Sequence, residues 1–378
     1  MKNLRFVGLD VHAETIAVAV AEPNGGEVRS LGVIPNRAES VSRLIRKLGK
    51  PQQLRVCYEA GPTGYVLYWQ LSELGVKCEV VAPTLVPVKT GDRIKTDRRD
   101  AEKLARCYRA GDLTAVWVPD AAYEALRDLV RARLAAKRDQ LRARHRLGKF
   151  LLRHGRRPPA NVNPWTQRYL LWIKREIRFD FHAQQITLEE YLHEVEHAAV
   201  RIARLEHSID AVVESLPMKM RAVIEALQSL RGIAHVSAVS IMAELGELSR
   251  FEHPRQLMGY SGAVSREHSS GERTNRGSIS KAGNAHLRRI VVEAAWAYRH
   301  SPAIGRGLAT RLRRCSPTVT SLAWKAQQRL HQRYKHLMVK GKCKQQAITA
   351  VARELLGFVW AIGVEVERNA INLRDRTA

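Results

Sequence analysis

The order of elements in the first 110 residues constrains this chain more than any other feature. Apolar runs at 4–9, 15–21 and 28–34 have the length and β-branched content of strands, with Asn24-Gly25-Gly26 as the turn between the second and third. From 37 to 48 the apolar spacing turns helical, and 53–58 is strand again. Residues 65–74 read as helix, 77–81 as a strand ended by Pro83, and 97–110 as helix. A three-strand meander leaves one sheet edge open, and strands arriving after helical crossovers extend that same sheet. The order βββ-α-β-α-β-α therefore predicts a mixed sheet with helices on its faces.

This is the order of an RNase H-like nuclease domain, and the acids fall where that fold places a metal site. Asp10 ends the first strand and Glu59 ends the strand after the first helix. Asp97 and Asp100 stand at i and i+3 and share one helix face. Four carboxylates are hard oxygen donors suited to one or two Mg²⁺ ions, which stabilise the attacking and leaving oxygens of a phosphodiester. Each acid also has a plain structural reading. A strand-end Asp serves turns, acids in a first helical turn complement the dipole, and Asp100 could pair with Arg99 or Lys103. Their joint placement, in these elements and this order, points to a metal site.

Lys and Arg number 63 against 37 Asp and Glu, a formal charge of +26, so the expected partner is a polyanion. The excess is local. Residues 121–160 hold 12 basic and 3 acidic side chains and residues 251–378 hold 23 and 8, whereas 161–250 is slightly acidic. Arg dominates, which suits bidentate phosphate contacts and favours nucleic acid over an anionic membrane. A 45% apolar content excludes a disordered basic tail. No uninterrupted apolar run approaches the ~18 residues of a membrane span, and residues 1–5 lack a signal-peptide core. Five scattered cysteines without a CxxC pair fit a reducing cytoplasm, so the expectation is a cytoplasmic, nucleoid-associated protein without a membrane partner.

The rest of the chain reads as helical. Residues 121–150 form an Arg-rich amphipathic helix, and Pro158, Pro159 and Pro164 break the pattern. Between 188 and 213, Leu188, Leu192, Val195, Ala199, Ile202, Leu205, Ile209 and Val212 recur at three- and four-residue steps, a coiled-coil seam that pairs the two long helices or joins two protomers. His193-Glu194-Val195-Glu196-His197 matches HExxH formally, but neither His lies on that seam and no further ligand cluster follows, so a zinc site is rejected. Residues 225–246 read as helix, turn, helix, resembling a helix-hairpin-helix with Ala234 where the usual turn has a second Gly. A polar loop over 261–284 precedes a helix over 285–299. Its serines and cations (Arg273, Arg276 and Lys281, with Arg288 and Arg289 on the helix) could hold phosphate, and a hydroxyl there could act as nucleophile. A solvated Ser/Gly-rich loop is the plain alternative.

Five stretches together resemble one family. They are Val7-Gly8-Leu9-Asp10-Val11-His12, Tyr58-Glu59-Ala60-Gly61-Pro62-Thr63-Gly64-Tyr65, Lys95-Thr96-Asp97-Arg98-Arg99-Asp100-Ala101, Ser269-Ser270-Gly271, and Ile279-Ser280-Lys281-Ala282-Gly283-Asn284. In order and spacing they are similar to the transposases of insertion-sequence family 110, which includes the pilin-gene DNA invertases. The resemblance implies a RuvC-like domain (1–115) with a DEDD tetrad of Asp10, Glu59, Asp97 and Asp100 binding Mg²⁺. It implies a long-helix coiled-coil region (116–215) and a mainly α transposase domain (216–378) whose serine attacks DNA. Matching the Ser-Gly step makes that serine Ser270, with Ser269 second. The resemblance further implies recombination of donor and target DNA through a phosphoserine intermediate, guided by a bridge RNA. It implies homo-oligomers, dimer or tetramer, in which one protomer's tetrad can complete another's serine site. The rivals are a metal-only nuclease of junction-resolvase type and a non-catalytic basic nucleic-acid-binding protein.

Overall fold

Along β2 (Thr15–Ala21, TIAVAVA) large and small residues alternate, and this alternation gives the sheet two unlike faces. The structure is a computed structural model that describes residues 4–88, 91, 95–267, 269–270 and 275–375. The chain divides into two units, Met1–Pro119 and Asp120–Ala378.

In the first unit β1 (Arg5–Val11), β2, β3 (Arg29–Pro35), β4 (Leu54–Glu59) and β5 (Lys77–Val81) form one sheet in the order β3-β2-β1-β4-β5. β1, β2 and β3 pair antiparallel, while β4 and β5 add in parallel. The large face (Val7, Leu9, Ile16, Val18, Val20, Val56 and Tyr58) packs against α1 (Ala38–Leu48) and α2 (Val66–Glu73). α1 buries Val41, Leu44, Ile45 and Leu48, the i, i+3, i+4, i+7 spacing of one helical stripe. Each such side chain contributes about 1.5–3 kcal/mol of burial.

The small face, Ala17, Ala19 and Ala21, takes α3 (Asp97–Ala110) through Ala101 and Ala105. Here backbone meets backbone. A Cβ on Gly8 would lie 2.3 Å from the Ala101 carbonyl oxygen and 2.4 Å from the Ala105 nitrogen, so only glycine lets α3 settle on β1. Thr96 caps α3 by accepting from the Arg99 amide, and Gly111 ends it in the left-handed region. The predicted strands and helices of this unit are all present, with ends within one or two residues. The correction that matters is at β1, which runs past Asp10 to Val11.

The second unit is mostly helical. α4 (Ala121–Arg153) and α6 (His182–Ser215) run antiparallel, as the ion pairs Arg133–Glu206, Arg201–Asp139 and Arg146–Glu194 show. α5 (Gln167–Glu176) closes one end, where Tyr169, Trp172 and Ile173 pack on Leu147, Phe150, Leu188 and Leu192. The seam is less regular than the heptad reading. Ala198, not Ala199, is buried, and Leu205 and Val212 are only half-buried. Within the HExxH match, Glu194 is held by Arg146 and Glu196 by Lys174, while His193 and His197 are exposed.

α7 (Met218–Leu227), α8 (His235–Leu245) and α9 (Pro254–Tyr260) lead to a two-stranded arm, β6 (Ser265–Glu267) and β7 (Arg276–Ile279). α10 (Ala285–Ala295) follows and tightens into a 3-10 turn at Trp296–Arg299, so the predicted 285–299 helix is α-helical only in its first part. α11 (Arg306–Leu312), α12 (Pro317–Val339) and α13 (Lys344–Asp375) complete the unit. α13 is long and apolar enough to cross a membrane by length and composition over Lys344–Ala370. Here Ile348, Val351, Leu355, Leu356, Val359 and Ile362 are core residues, and buried Glu367 accepts from the Leu248 and Ser249 amides.

Candidate metal centre and serine arm

Asp10 shares the small face of β1 with Gly8, because alternate residues of a strand point the same way. The close seating of α3 against Gly8 brings the helix's first turn to that carboxylate. His12 follows β1 directly and closes the β1–β2 turn, its amide donating to the Thr15 carbonyl. His12 Nε2 stands 3.3 Å from Asp10 Oδ2 and 3.5 Å from Asp97 Oδ1. One ligand atom from each of Asp10, His12 and Asp97 lies within 4.8 Å of the other two, a set that could hold a metal ion. Glu59 ends β4 beside β1 and lines, with Asp10, His12 and Asn36, an open cavity of about 570 Å³. Asp100 meets Lys95 Nζ at 3.8 Å, a partner the plain sequence reading does not name.

The acids feel one another. Burial raises the Asp10 carboxyl above its ordinary range, with Asp100 and Asp97 adding to the rise and His12 opposing it. Burial likewise raises Glu59, joined by Asp100 and Asp10 and opposed by Lys103 and Lys95. Carboxylates that repel one another at a cavity suit a divalent cation, whose charge reverses the penalty. Asp10 and Asp97 thus stand in close contact through His12, and Glu59 and Asp100 join them through their field. His12 is the site residue the sequence reading missed as a donor. Its signal is the Asp-x-His spacing, which puts both side chains on one strand face.

The serine arm is built differently. β6 and β7 pair at Ser265↔Ile279 and Glu267↔Arg276, and the three β6 residues are exposed. Ser269 and Ser270 lie beyond β6 and are exposed. The Ser269 hydroxyl donates to Glu267 Oε1 at 2.8 Å. His268, Gly271 and Arg273 lie outside the described residues, and Arg276 is described by its β7 backbone. Lys281 is exposed, in the left-handed region at φ 57°. Arg288 donates to the Ser261 carbonyl at 2.7 Å, and Arg289 pairs with Glu293 at 3.1 Å. The two helix arginines chosen as phosphate ligands, Arg288 and Arg289, thus have internal partners. At the predicted hairpin turn Leu230 and Ile233 are buried, and Arg311 donates to the Ile233 carbonyl.

Comparison with known proteins covers both regions. Residues 7–155 match the IS110 DEDD transposase model, and residues 224–307 match the Transposase IS116/IS110/IS902 family. The chain is 46% identical over 366 residues to the "Putative transposase y4qE" of Sinorhizobium fredii, covering 96% of this chain and 89% of that protein. It is 33% identical over 347 residues to the transposase for insertion sequence element IS1533 of Leptospira borgpetersenii, covering 90% of this chain and 99% of that one. With both regions matched and these relatives aligned almost end to end, the chain belongs to the IS110 family of transposases.

Proposed function

We propose that this transposase cuts and rejoins donor and target DNA through a covalent serine–DNA intermediate, with Ser270 as nucleophile and a divalent metal at the acidic site. The observation that supports it best is the gathering of Asp10, His12 and Asp97, with Glu59 and Asp100 in the same field, at an open cavity. The four carboxylates are oxygen donors that fit a hard cation such as Mg²⁺. Asp10, Glu59, Asp97 and Asp100 would hold it, and when bound it would supply positive charge to a scissile phosphodiester. The domain reading of 1–115, 116–215 and 216–378 assigns the acids to the first region and the serine to the last.

The residues' own tasks follow. Attack by the serine oxygen forms an O–P bond to the serine while the bond from phosphorus to one strand end breaks, and that end leaves with a free hydroxyl. Religation reverses the exchange with a new strand end. The energy of the phosphodiester is conserved in the serine ester, so no co-reactant is needed. Arg273, Arg276 and Lys281, which follow the serines closely in sequence, would hold the strands. The family resemblance adds a bridge RNA and a homo-oligomer to the proposal.

A second reading exchanges the two serines. The Ser269 hydroxyl donates to Glu267, which supplies a proton acceptor at 2.8 Å. The test is a denaturing gel of labelled donor DNA with protein, guide RNA and Mg²⁺. A covalent species lost in Ser270→Ala and kept in Ser269→Ala supports the first reading, and the reverse supports the second. Wild-type cleavage by both variants with no adduct would leave the metal-only nuclease.

A further inference from the structure

Glu244 of α8 is 1% exposed, yet it is charged, and burying a carboxylate costs several kcal/mol unless it is well paired. Its partners come from two directions. From α4, Arg131 donates to both carboxylate oxygens, at 2.8 and 2.9 Å, and Arg127 stands 3.8 Å away. From the start of α10, Asn284 Nδ2 donates to Oε2 at 2.7 Å. Burial alone would raise this carboxyl. The hydrogen bonds from Arg131 and Asn284, then the charges of Arg131 and Arg127, outweigh it and hold Glu244 below the ordinary range.

Asn284 is also the foot of the serine arm. Its amide donates to the Tyr260 carbonyl, its Oδ1 caps α10 at the Leu287 amide, and the Tyr260 hydroxyl returns to the Glu244 carbonyl. The two sides of the foot touch backbone to backbone. A Cβ on Gly262 (φ +65°) would lie 2.2 Å from the Ala282 oxygen, and one on Gly283 (φ +112°) 2.2 Å from the Tyr260 oxygen. The Ser280 amide then donates to the Val264 carbonyl, and the Lys281 amide to the Gly262 carbonyl. Past this foot β6 offers no buried side chain, so the foot sets the direction of the arm.

A buried ion pair is weak evidence for stability, since apolar residues of like volume often serve as well. Its better-attested use is to specify one arrangement. We propose that Glu244 is a positioning residue for the serine arm: held by Arg131, it grips Asn284 and so ties the arm's foot to α4. This rests on the reading that the arm carries the nucleophile.

The discriminating variant is Asn284→Asp. It keeps an N-cap oxygen for α10 but turns the 2.7 Å donor into a second carboxylate facing Glu244. Two carboxylates that close share a proton at lower pH, which restores the hydrogen bond. The charged and titratable groups around them are Arg127, Arg131 and Arg133 from α4, Tyr260 from α9, and His286, Arg289 and Glu293 from α10. Relative to wild type at each pH, adduct formation should fall about tenfold at about pH 8, the scale of one lost charge-assisted hydrogen bond, and recover toward pH 6. Asn284→Ser should show a loss that does not change with pH. Relative to wild type at the same pH, hydrogen exchange at the Ser280 and Lys281 amides should quicken in Asn284→Asp at about pH 8 and return toward the wild-type rate at about pH 6. Adduct formation at the wild-type rate, or lowered equally at both pH values, overturns the proposal. If wild type itself forms no adduct, the serine reading has failed separately. Exchange then decides the clamp, and unaltered exchange overturns it.

Discussion

Asp10 lies in a strand paired on both sides and pressed by a helix, whereas Ser269 and Ser270 lie past a three-residue strand that buries nothing. The acidic site is a by-product of core packing, since the small face that admits α3 also delivers Asp97 to Asp10. Among its described residues the serine arm has no such support, and its aim depends on the contacts of its foot. A packed site tolerates loss of a ligand without losing its frame. An arm held at one end loses its aim when the foot is disturbed.

The largest expected effect breaks the frame of the first site. Gly8→Val drives a side chain into the α3 backbone, where overpacking costs about 1–3 kcal/mol or more. Chemical denaturation should show the first unit destabilised and divalent-cation binding lost together. Cation affinity at the wild-type level would mean that the seating of α3 does not assemble the site.

Asp10→Ala should do the opposite, abolishing DNA cleavage while leaving the frame intact. The sign of its pH effect follows from the raised carboxyl. The folded protein holds that proton more tightly than the unfolded chain. Stability is therefore lost as pH rises from about 3.9, the unperturbed value, through the folded one. In chelator at neutral pH, Asp10→Asn should accordingly melt higher than wild type, an advantage that fades toward pH 4. Added Mg²⁺ should raise the melting temperature of wild type more than that of the variant. Equal response of the two proteins to Mg²⁺ would remove Asp10 from the metal site.

The same contrast explains what could be read from the sequence. α3 was legible to the residue because its cap, its stop at Gly111 and its acids are all local signals. Glu59 was legible because strand ends of a mixed sheet gather at one edge. His12 was missed because β1 reads as ending at Asp10. It is pairing with β2, Val11 against Ile16, that extends the strand and turns His12 toward the acids. In the second unit α5 hid behind Pro158, Pro159 and Pro164, and Ala198 displaced Ala199 from the seam. Arg127, Gln140 and Glu244 are buried although their types read as solvent-facing. Such burial depends on residues more than a hundred positions away, as with Arg131 and Glu244, and no local pattern encodes it.

A smaller effect is expected within the arm. Ser270→Ala should bind nucleic acid as wild type does and form no covalent species, while Ser269→Ala retains some. Glu267→Gln sharpens the comparison, because it weakens the acceptor of the Ser269 hydroxyl without touching the foot. Adduct formation that drops with Glu267→Gln and survives Ser270→Ala would move the nucleophile to Ser269.

The smallest effect separates cations that meet phosphate from cations that hold the arm. Each phosphate contact adds about −0.9 to the slope of log K against log salt on B-DNA. Lys281 is exposed, next to the foot, so Lys281→Gln should flatten the slope by about that amount. Arg288 donates to the Ser261 carbonyl, one residue before Gly262, so its charge is already engaged. Arg288→Gln should leave the slope unchanged and lower adduct formation by loosening the foot. Arg289 is intermediate, since an exposed pair with Glu293 is worth about 0–1 kcal/mol and can be exchanged for a phosphate. Binding isotherms over a range of salt concentrations distinguish the three. A slope that flattens for Arg288→Gln as much as for Lys281→Gln would return Arg288 to the nucleic-acid surface. The arm's foot would then rest on Asn284 and the two glycines, without that arginine.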